Sequence, residues 1–500
     1  MTNFLLITTD QHHPDALGSV DPAIRTPHLD ALAAEGVRYD RAYCANPTCT
    51  PTRASLITGR YPSQHGAWTL GTKLPESEQT IGELLGDAGY RTALLGKAHF
   101  QPLATSAEHP SIESYPLLHD LDYWRTFTGP FYGFEHIELL RNHTSEAHVG
   151  QHYALWLDER DPDWRRHFQA PAGSLPAGTR HRWELPDELH YNTWLAERSD
   201  AYLAERAADG DPFLLWVSFP DPHPPYLVPE PWASMYDPET LEVPQLVPGE
   251  HDANPPHFGL TQHPDPDFTP WRESGQWLQG MEESHLRDDE ERRRLVATYY
   301  GMVSFSDAAI GKVLDSLAAH GLADDTVVIF TADHGHFYGQ HGLQAKGPFH
   351  YEDLIRVPMI VRDPHARASG GASDAIQSHV DLAPTLLDYA GLPIPATMTG
   401  ISQRAVWSCD TERVRDSAIC EFHHEPTTLN LRSYIDECYK LTVYQGREYG
   451  ELYDLENDPR ELVNLWDDPA AAELKQRLLL RYIWAELAKE PMWMPRLSRA

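Results

Sequence analysis

The sequence predicts an α/β fold, with a doubly wound, mostly parallel sheet followed by a smaller C-terminal domain of antiparallel sheet and helix. Three observations point there. Short apolar runs bounded by turn residues, at Phe4–Thr9, Thr92–Leu95, Phe213–Phe219, Thr326–Thr331 and Pro358–Val361, read as strands buried on both faces. Helical patterns lie between them, and strand and helix in alternation are the mark of a parallel sheet covered on both sides. Beyond "VDLAPTLLDYAGLP" (380–393) the apolar runs shorten and alternate, as in "YKLTVY" and "GELYDL".

After the first run, "TPHLDALAAEGVRY" carries Leu29, Leu32, Ala33 and Val37 at helical spacing. "SFSDAAIGKVLDSLAAHGL" repeats the pattern with Ile310, Val313, Leu314 and Leu317 before Gly321. Two stretches break the alternation and read as insertions shaping a pocket rim. One, 101–190, is rich in aromatics, His and Arg. The other, 220–290, begins with fourteen prolines between 220 and 270 and reads as extended loop. Tyr123, Trp124, Tyr132, Trp232 and Tyr236 in these segments are candidates for a pocket wall, each more often packing. A helix from about 469 to 489 closes the chain, with Leu474, Leu478, Leu479, Tyr482, Ile483 and Leu487 expected in its core face. The expected division is a catalytic domain over 1–400 and a small domain over 401–500.

The chain has 500 residues, with 40 Lys plus Arg against 74 Asp plus Glu, a formal charge of −34. That balance argues against nucleic acid or an anionic membrane as the main partner, so any bound anion needs a local pocket. The opening "MTNFLLITTD" lacks a basic leader and a cleavage site, and no stretch is long enough to span a bilayer, so a soluble, cytoplasmic protein is expected. The cysteines, Cys44, Cys49, Cys409, Cys420 and Cys438, are odd in number and show no CxxC spacing. Neither a disulfide framework nor a zinc ribbon is indicated.

In open parallel sheets ligands bind beyond the carboxyl ends of the strands. Polar residues follow four of the apolar runs there: Asp10 and Gln11; Lys97 and His99; Asp221 and His223; Asp333 and His334. An Asp after a strand is ordinarily a cap or turn former. Caps, however, do not require Lys-x-His, Asp-x-His and Asp-His to end successive strands. Asp10, Asp333 and His334 supply two hard oxygens and one nitrogen, a set suited to Ca²⁺, Mg²⁺ or Mn²⁺. Lys97, His99 and His223 would surround an anion bound to it. In "NPTCTPTRASLITGRYPSQHG" (46–66), Pro51 suits the first turn of a helix running to Gly59, which sets Cys49 at its N-terminus, where the free N–H groups favour negative charge.

These residues resemble a known family. "CTPTRASLITGRYPSQHG" is similar to the sulfatase signature of the alkaline phosphatase superfamily. "LLITTDQ", "NPTCTPTR", "LLGKAHF", "FPDPHPPY", "FTADHG", "QAKGPFHYEDLIRVPMIV" and "ELYDLENDPRELVNL" match in order. The resemblance implies an alkaline phosphatase-like fold and a sulfate monoester as substrate. It also implies that a formylglycine-generating enzyme converts Cys49 to formylglycine. The hydrated aldehyde attacks the substrate and then expels the product through its second hydroxyl. By the same resemblance Asp10, Asp333, His334 and modified Cys49 are metal ligands, Arg53 holds the diol, and Lys97 and Lys346 grip the substrate anion. His99 becomes the base of the second step and His223 the general acid.

Two departures matter. The usual Ser of the signature is Thr52. Gln11 and His334 stand where many calcium sulfatases have Asp and Asn, which moves the cage from Ca²⁺ toward Mn²⁺, as in the phosphonate monoester hydrolases and choline sulfatases that the chain also resembles. Gln11 is carried as a further ligand through its amide oxygen. The motifs do not choose between a sulfatase and a phosphonate monoester hydrolase or phosphodiesterase, because both substrates present one charge on a tetrahedral centre. A sulfamidase and a non-catalytic anion-binding relative with an unmodified thiol complete the alternatives. A homo-oligomer is compatible with the family and unspecified by the sequence.

Overall fold

The computed structural model describes residues 1–141, 148–168, 182–275, 278, 280–281, 285–492, 494 and 496–499. Its main sheet has eight strands: β1 (Asn3–Thr9), β2 (Val37–Tyr39), β3 (Arg91–Gly96), β4 (His136–Leu139), β5 (Phe213–Ser218), β6 (Thr326–Ala332), β7 (Met359–Arg362) and β8 (Ala372–Ser373). They lie in the order β8-β2-β7-β6-β1-β5-β3-β4. β1 is central, with Leu5 registered on Leu215 and on Val328 of its parallel neighbours. Every residue of β1, β5 and β6 is buried, so continuous apolar runs rather than alternating ones form these strands. Helices α1 (Pro27–Glu35), α3 (Tyr191–Asp209) and α4 (Asp289–Ala319) contribute to one face of the sheet, and α2 (Cys49–Thr58) to the other.

Two expectations change. The run at Pro358–Val361 is a strand, β7, but it lies antiparallel to β6, with Ile360 opposite Phe330. A parallel return needs a crossover of a dozen or more residues, usually a helix. The chain between β6 and β7 is long enough for one, but it forms a small hairpin, Phe337–Tyr338 with Gln344–Ala345, a four-residue helix, Glu352–Ile355, and a short strand, Arg356–Val357, with no long helix to carry it across the sheet. Segment 101–190 is also more than a rim. It supplies β4, parallel to β3, and the helix Gln151–Arg160. His136 and Glu138 hide this edge strand from a search for apolar runs. Parts of the segment, 142–147 and 169–181, lie outside the described residues. Among its described residues, segment 220–290 carries short turns and the helix Pro256–Leu260 before α4 begins at Asp289.

The C-terminal sheet is antiparallel throughout: β9 (Ala418–Glu425), β10 (Leu429–Ile435), β11 (Tyr439–Tyr444) and β12 (Gly450–Asp454) in that order. α5 (Ala472–Ala488) packs Leu478, Leu474, Leu479 and Tyr482 onto Tyr434, Leu441 and Leu452. Ile483 and Leu487, expected inside, are 51% and 57% exposed, beside exposed Leu480 and Trp484. A helix resting on one sheet face buries one stripe, and these four residues form a second stripe turned away from it. Among the described residues, no helix is long and apolar enough to cross a membrane.

Candidate active site

Three backbone hydrogen bonds bind the carboxyl ends of the central strands into one platform. Asp10 N–H donates to the Asp221 carbonyl at 3.1 Å, Asp333 N–H to that of Thr9 at 3.1 Å, and Lys97 N–H to that of Ser218 at 3.0 Å. Gly96 lets β3 approach so closely, at φ +105°. A Cβ there would stand 2.1 Å from the Ser218 carbonyl oxygen. α2 arrives over the platform with Thr48 as an extended N-cap and ends at Gly59, whose left-handed conformation (φ 64°) lets its N–H reach the Ser55 carbonyl. All ten residues of α2 are buried, so Cys49 is delivered by a helix with no freedom to shift.

Asp10, Cys49, Asp333 and His334 each direct one ligand-type atom into a common centre, all within 4.8 Å of one another. Cys49 Sγ lies 3.6 Å from Asp10 Oδ1 and 3.4 Å from His334 Nε2, and accepts from Lys346 Nζ at 3.0 Å. His334 donates its Nδ1–H to the Gly335 carbonyl, at 2.9 Å, which leaves the Nε2 lone pair facing the centre. Asp333 Oδ1 accepts from the backbone N–H groups of Gln11 and His334, both at 2.9 Å. The Gln11 side chain donates to His336 Nδ1, and its Oε1 is buried with no hydrogen-bond partner among the described residues. Two carboxylates, a neutral imidazole nitrogen with its tautomer set, and a spare amide oxygen fit a divalent cation.

Arg53, fully buried, holds the carboxylates from beneath: Nε donates to Asp333 Oδ2 at 2.9 Å and Nη2 to Asp10 Oδ2 at 3.2 Å. Its Nη1 donates to the Lys97 carbonyl and to Ser218 Oγ. Lys97 Nζ pairs with Asp10 Oδ2 as well. Replacing Arg53 by Met is expected to destabilise the fold by about 3–5 kcal/mol, because buried Asp333 loses its guanidinium partner and buried Asp10 keeps only Lys97 among the described residues. A shift of the urea midpoint checks this, and an unchanged midpoint would contradict it.

The surrounding charges set the protonation states. Burial alone would raise the Asp10 carboxyl, but Lys97, with His223, Arg53 and Lys346, holds it well below its ordinary value. Burial, reinforced by Asp10, pushes the Cys49 thiol up to about 11 against the pull of Lys346 and Lys97. As a thiol it is protonated at neutral pH and a poor nucleophile. Burial keeps His334 neutral, lowered to about 4. His223 and His99 are also held well below the usual imidazole range, each by burial first. For His99 the Arg141 guanidinium adds to it.

His223 sits in a loop with cis peptides at Asp221-Pro222 and Pro224-Pro225. It gives Nδ1–H to the Pro224 carbonyl and turns Nε2 to Lys346 Nζ, 3.4 Å away. Lys346 Nζ also lies 3.2 Å from His334 Nε2. His99 follows β3 at φ 58°, within electrostatic reach of Lys97, Arg53 and Asp10. The structure thus gathers Asp10, Cys49, Arg53, Lys97, His223, Asp333, His334 and Lys346 at one sheet edge, with Gln11 and His99 on its border.

Sequence reading left Ser218 and the environment of Asp221 unassigned. Ser218, the one hydroxyl ending "FLLWVS", was visible as a polar residue in an apolar run. Asp221 accepts from Tyr191 Oη and from Asn192 Nδ2, and burial pushes its carboxyl up to about 7. Its partners lie on α3, so no local pattern reveals them. Of the aromatic candidates, Trp124 and Tyr236 are buried packing residues, Trp232 stacks on Phe305, and Tyr132 donates to the Leu74 carbonyl.

Similarity to known proteins agrees with this geometry. The family profile described as Sulfatase matches residues 2–392. A second, described as N-sulphoglucosamine sulphohydrolase, C-terminal, matches residues 339–486. The uncharacterized sulfatase YidJ of Escherichia coli (strain K12) is 28% identical over 479 residues, covering 95% of this chain and 85% of that one. The multifunctional alkaline phosphatase superfamily protein PehA of Trinickia caryophylli is 28% identical over 504 residues, covering 94% and 92%. The crystal structure of the phosphonate monoester hydrolase of Agrobacterium radiobacter superposes with a TM-score of 0.80 at 27% identity, covering 100% of this chain and 98% of that one. With a profile over most of its length and one architecture from end to end, the chain belongs to the sulfatase family.

Proposed function

We propose that the chain hydrolyses sulfate monoesters with a formylglycine made from Cys49. The observation that carries the reading is the convergence of Cys49 with Asp10, Asp333, His334 and Lys346 in a buried, charge-rich centre. A protonated thiol there explains nothing catalytic, whereas an oxygen nucleophile in its place would face both the ligand set and a lysine. Since Cys49 and the whole of α2 are buried, a formylglycine-generating enzyme must meet this segment before the chain folds.

Asp10, Asp333, His334 and residue 49, with the Gln11 side-chain oxygen, would hold one divalent cation, Ca²⁺ or Mn²⁺, which when bound supplies a Lewis acid lowering the pKa of an oxygen upon it. Lys97 and Lys346 bind the nonbridging oxygens of the substrate and stabilise charge growing there. An oxygen of the hydrated residue 49 attacks sulfur in line and gives up its proton, while the sulfur–oxygen bond to the alcohol breaks. His223 is neutral at rest with its proton on Nδ1, committed to Pro224, so its Nε2 takes up the proton that the attacking hydroxyl gives up and passes it to that leaving oxygen. His99, neutral at rest, then takes the proton of the remaining hydroxyl. Its electron pair closes the carbon–oxygen double bond, the carbon–oxygen bond to sulfate breaks, and sulfate departs. Water rehydrates the aldehyde. Arg53 holds Asp10 and Asp333 in place throughout.

The second reading is a phosphonate monoester hydrolase or phosphodiesterase using the same residues, and the superposition on the Agrobacterium enzyme favours it. Rates on an aryl sulfate, an aryl phosphonate and a phosphodiester, with bound metal identified and the residue-49 peptide weighed in the same sample, separate the two. The highest kcat/KM on the sulfate supports the proposal, and on the phosphonate the second reading. An unmodified thiol in fully active protein would sink both. His99→Ala should release about one equivalent of alcohol per site and then stall, with sulfate retained on the residue-49 peptide. Normal steady-state turnover in that variant would remove His99 from the scheme.

A further inference from the structure

Among the described residues, no hydrogen bond anchors the ring of His99. Its Nδ1 is buried without a hydrogen-bond partner among the described residues, so the ring's direction follows from its backbone. That backbone is in the left-handed region, φ 58°, which a residue with a Cβ adopts only when its surroundings enforce it.

The enforcing contacts come from segment 101–190. Glu113, 1% exposed, accepts the His99 N–H on Oε1 and the Gln101 N–H on Oε2, both at 2.9 Å. Arg141, 6% exposed and just beyond β4, donates through Nη1 to Glu113 Oε2 at 2.8 Å and to the Gln101 carbonyl at 2.9 Å. Gln101 Oε1 in turn accepts the Ile112 N–H, tying the loop that carries Glu113 to the residue it holds. Between the two clamped amides, Phe100 is fully buried against Trp216 of β5. One carboxylate spanning two amides across a left-handed residue, with a guanidinium locking both, specifies where the intervening side chain points.

We infer that the buried Glu113–Arg141 pair is the positioning device of the base His99, so that the second chemical step depends on two residues that touch neither the substrate nor the candidate metal centre. This rests on the role of His99 proposed above. The step it governs is the one already balanced there, in which the proton of the free hydroxyl passes to His99 as sulfate is expelled. Arg141 serves in a second way, since its charge beside the ring helps to keep the imidazole unprotonated and able to accept. A merely structural pair would affect both steps alike. This pair should affect the second alone.

The test uses full-length enzyme with formylglycine at residue 49 and compares Glu113→Gln and Arg141→Lys with His99→Ala. Glu113→Gln turns one acceptor oxygen into a donor facing an amide N–H. Arg141→Lys keeps the charge but withdraws the donor at the Nη1 position that bridges Glu113 and the Gln101 carbonyl, and it is read alone if the first variant does not fold. The expected result is a rapid release of about one equivalent of alcohol, then a steady-state rate lower by about 10²-fold, the effect of a misplaced catalytic group. KM should fall with kcat, and mass spectrometry should find sulfate on the residue-49 peptide, as in His99→Ala. Wild-type kinetics, or a slow rate with no burst and no retained sulfate while His99→Ala does retain it, would overturn the inference. Absence of retained sulfate in His99→Ala itself would instead overturn the role of His99, and this assignment with it.

Discussion

Cys49→Ala is expected to reduce hydrolysis to background, a loss of at least about 10⁴-fold, with the protein still folded. Sγ is the atom that meets Asp10, His334 and Lys346, and removing it leaves no group at residue 49 for the attack. The cost to stability should be about 1 kcal/mol, as for a small buried truncation. Cys49→Ser is the more instructive variant. Serine offers one hydroxyl, so it can be esterified but has no second hydroxyl to expel the product. It should therefore release about one equivalent of alcohol and then stop. Steady-state assay, burst kinetics and the melting temperature check both variants. Near-wild-type turnover in either would move the chemistry elsewhere.

Asp10→Asn and Asp333→Asn should each lower turnover on the order of 10³-fold and abolish binding of the divalent ion proposed for this centre, read by elemental analysis. Each change keeps the shape and removes one negative charge from a centre that also holds Arg53, Lys97 and Lys346. For Asp10 the pH dependence of stability adds an independent sign. Its folded carboxyl titrates well below its ordinary value, about 3.9 when unfolded. Its stabilisation is then fully present above about pH 4 and is lost as pH falls toward the folded value. Asp10→Asn should therefore lower the urea midpoint at pH 7, and its deficit relative to wild type should shrink on acidification below about pH 4. A deficit independent of pH would show that the carboxylate is not held by the lysines and arginine around it.

The legible part of the molecule follows from short-range pattern. The runs now seen as β1, β3, β5 and β6 could be read because a strand buried on both faces must be apolar along its length. α2 could be placed because Pro51 and Gly59 bracket a helix that sets Cys49 at its start. The direction of β7 could not be read, since four apolar residues look the same whichever way they run. β4 was concealed by the polar residues an edge strand tolerates. The outward stripe of α5 was read as core because periodicity counts apolar faces without showing how many neighbours exist to cover them.

By itself the sequence determined that Asp10, Lys97, His223 and Asp333–His334 lie near the carboxyl ends of successive parallel strands, and therefore at one edge, because parallel strands share a direction. Only the tertiary structure decided how those groups meet. Ser218 beneath Arg53, Gly335 setting the tautomer of His334, and Glu113 joined to Arg141 around His99 are hydrogen bonds with strict distance and angle. Two of the three link residues far apart in the chain, and the other depends on how a single turn is oriented. Such partnerships leave no periodic trace, and they exist once packing has excluded water and brought donor to acceptor.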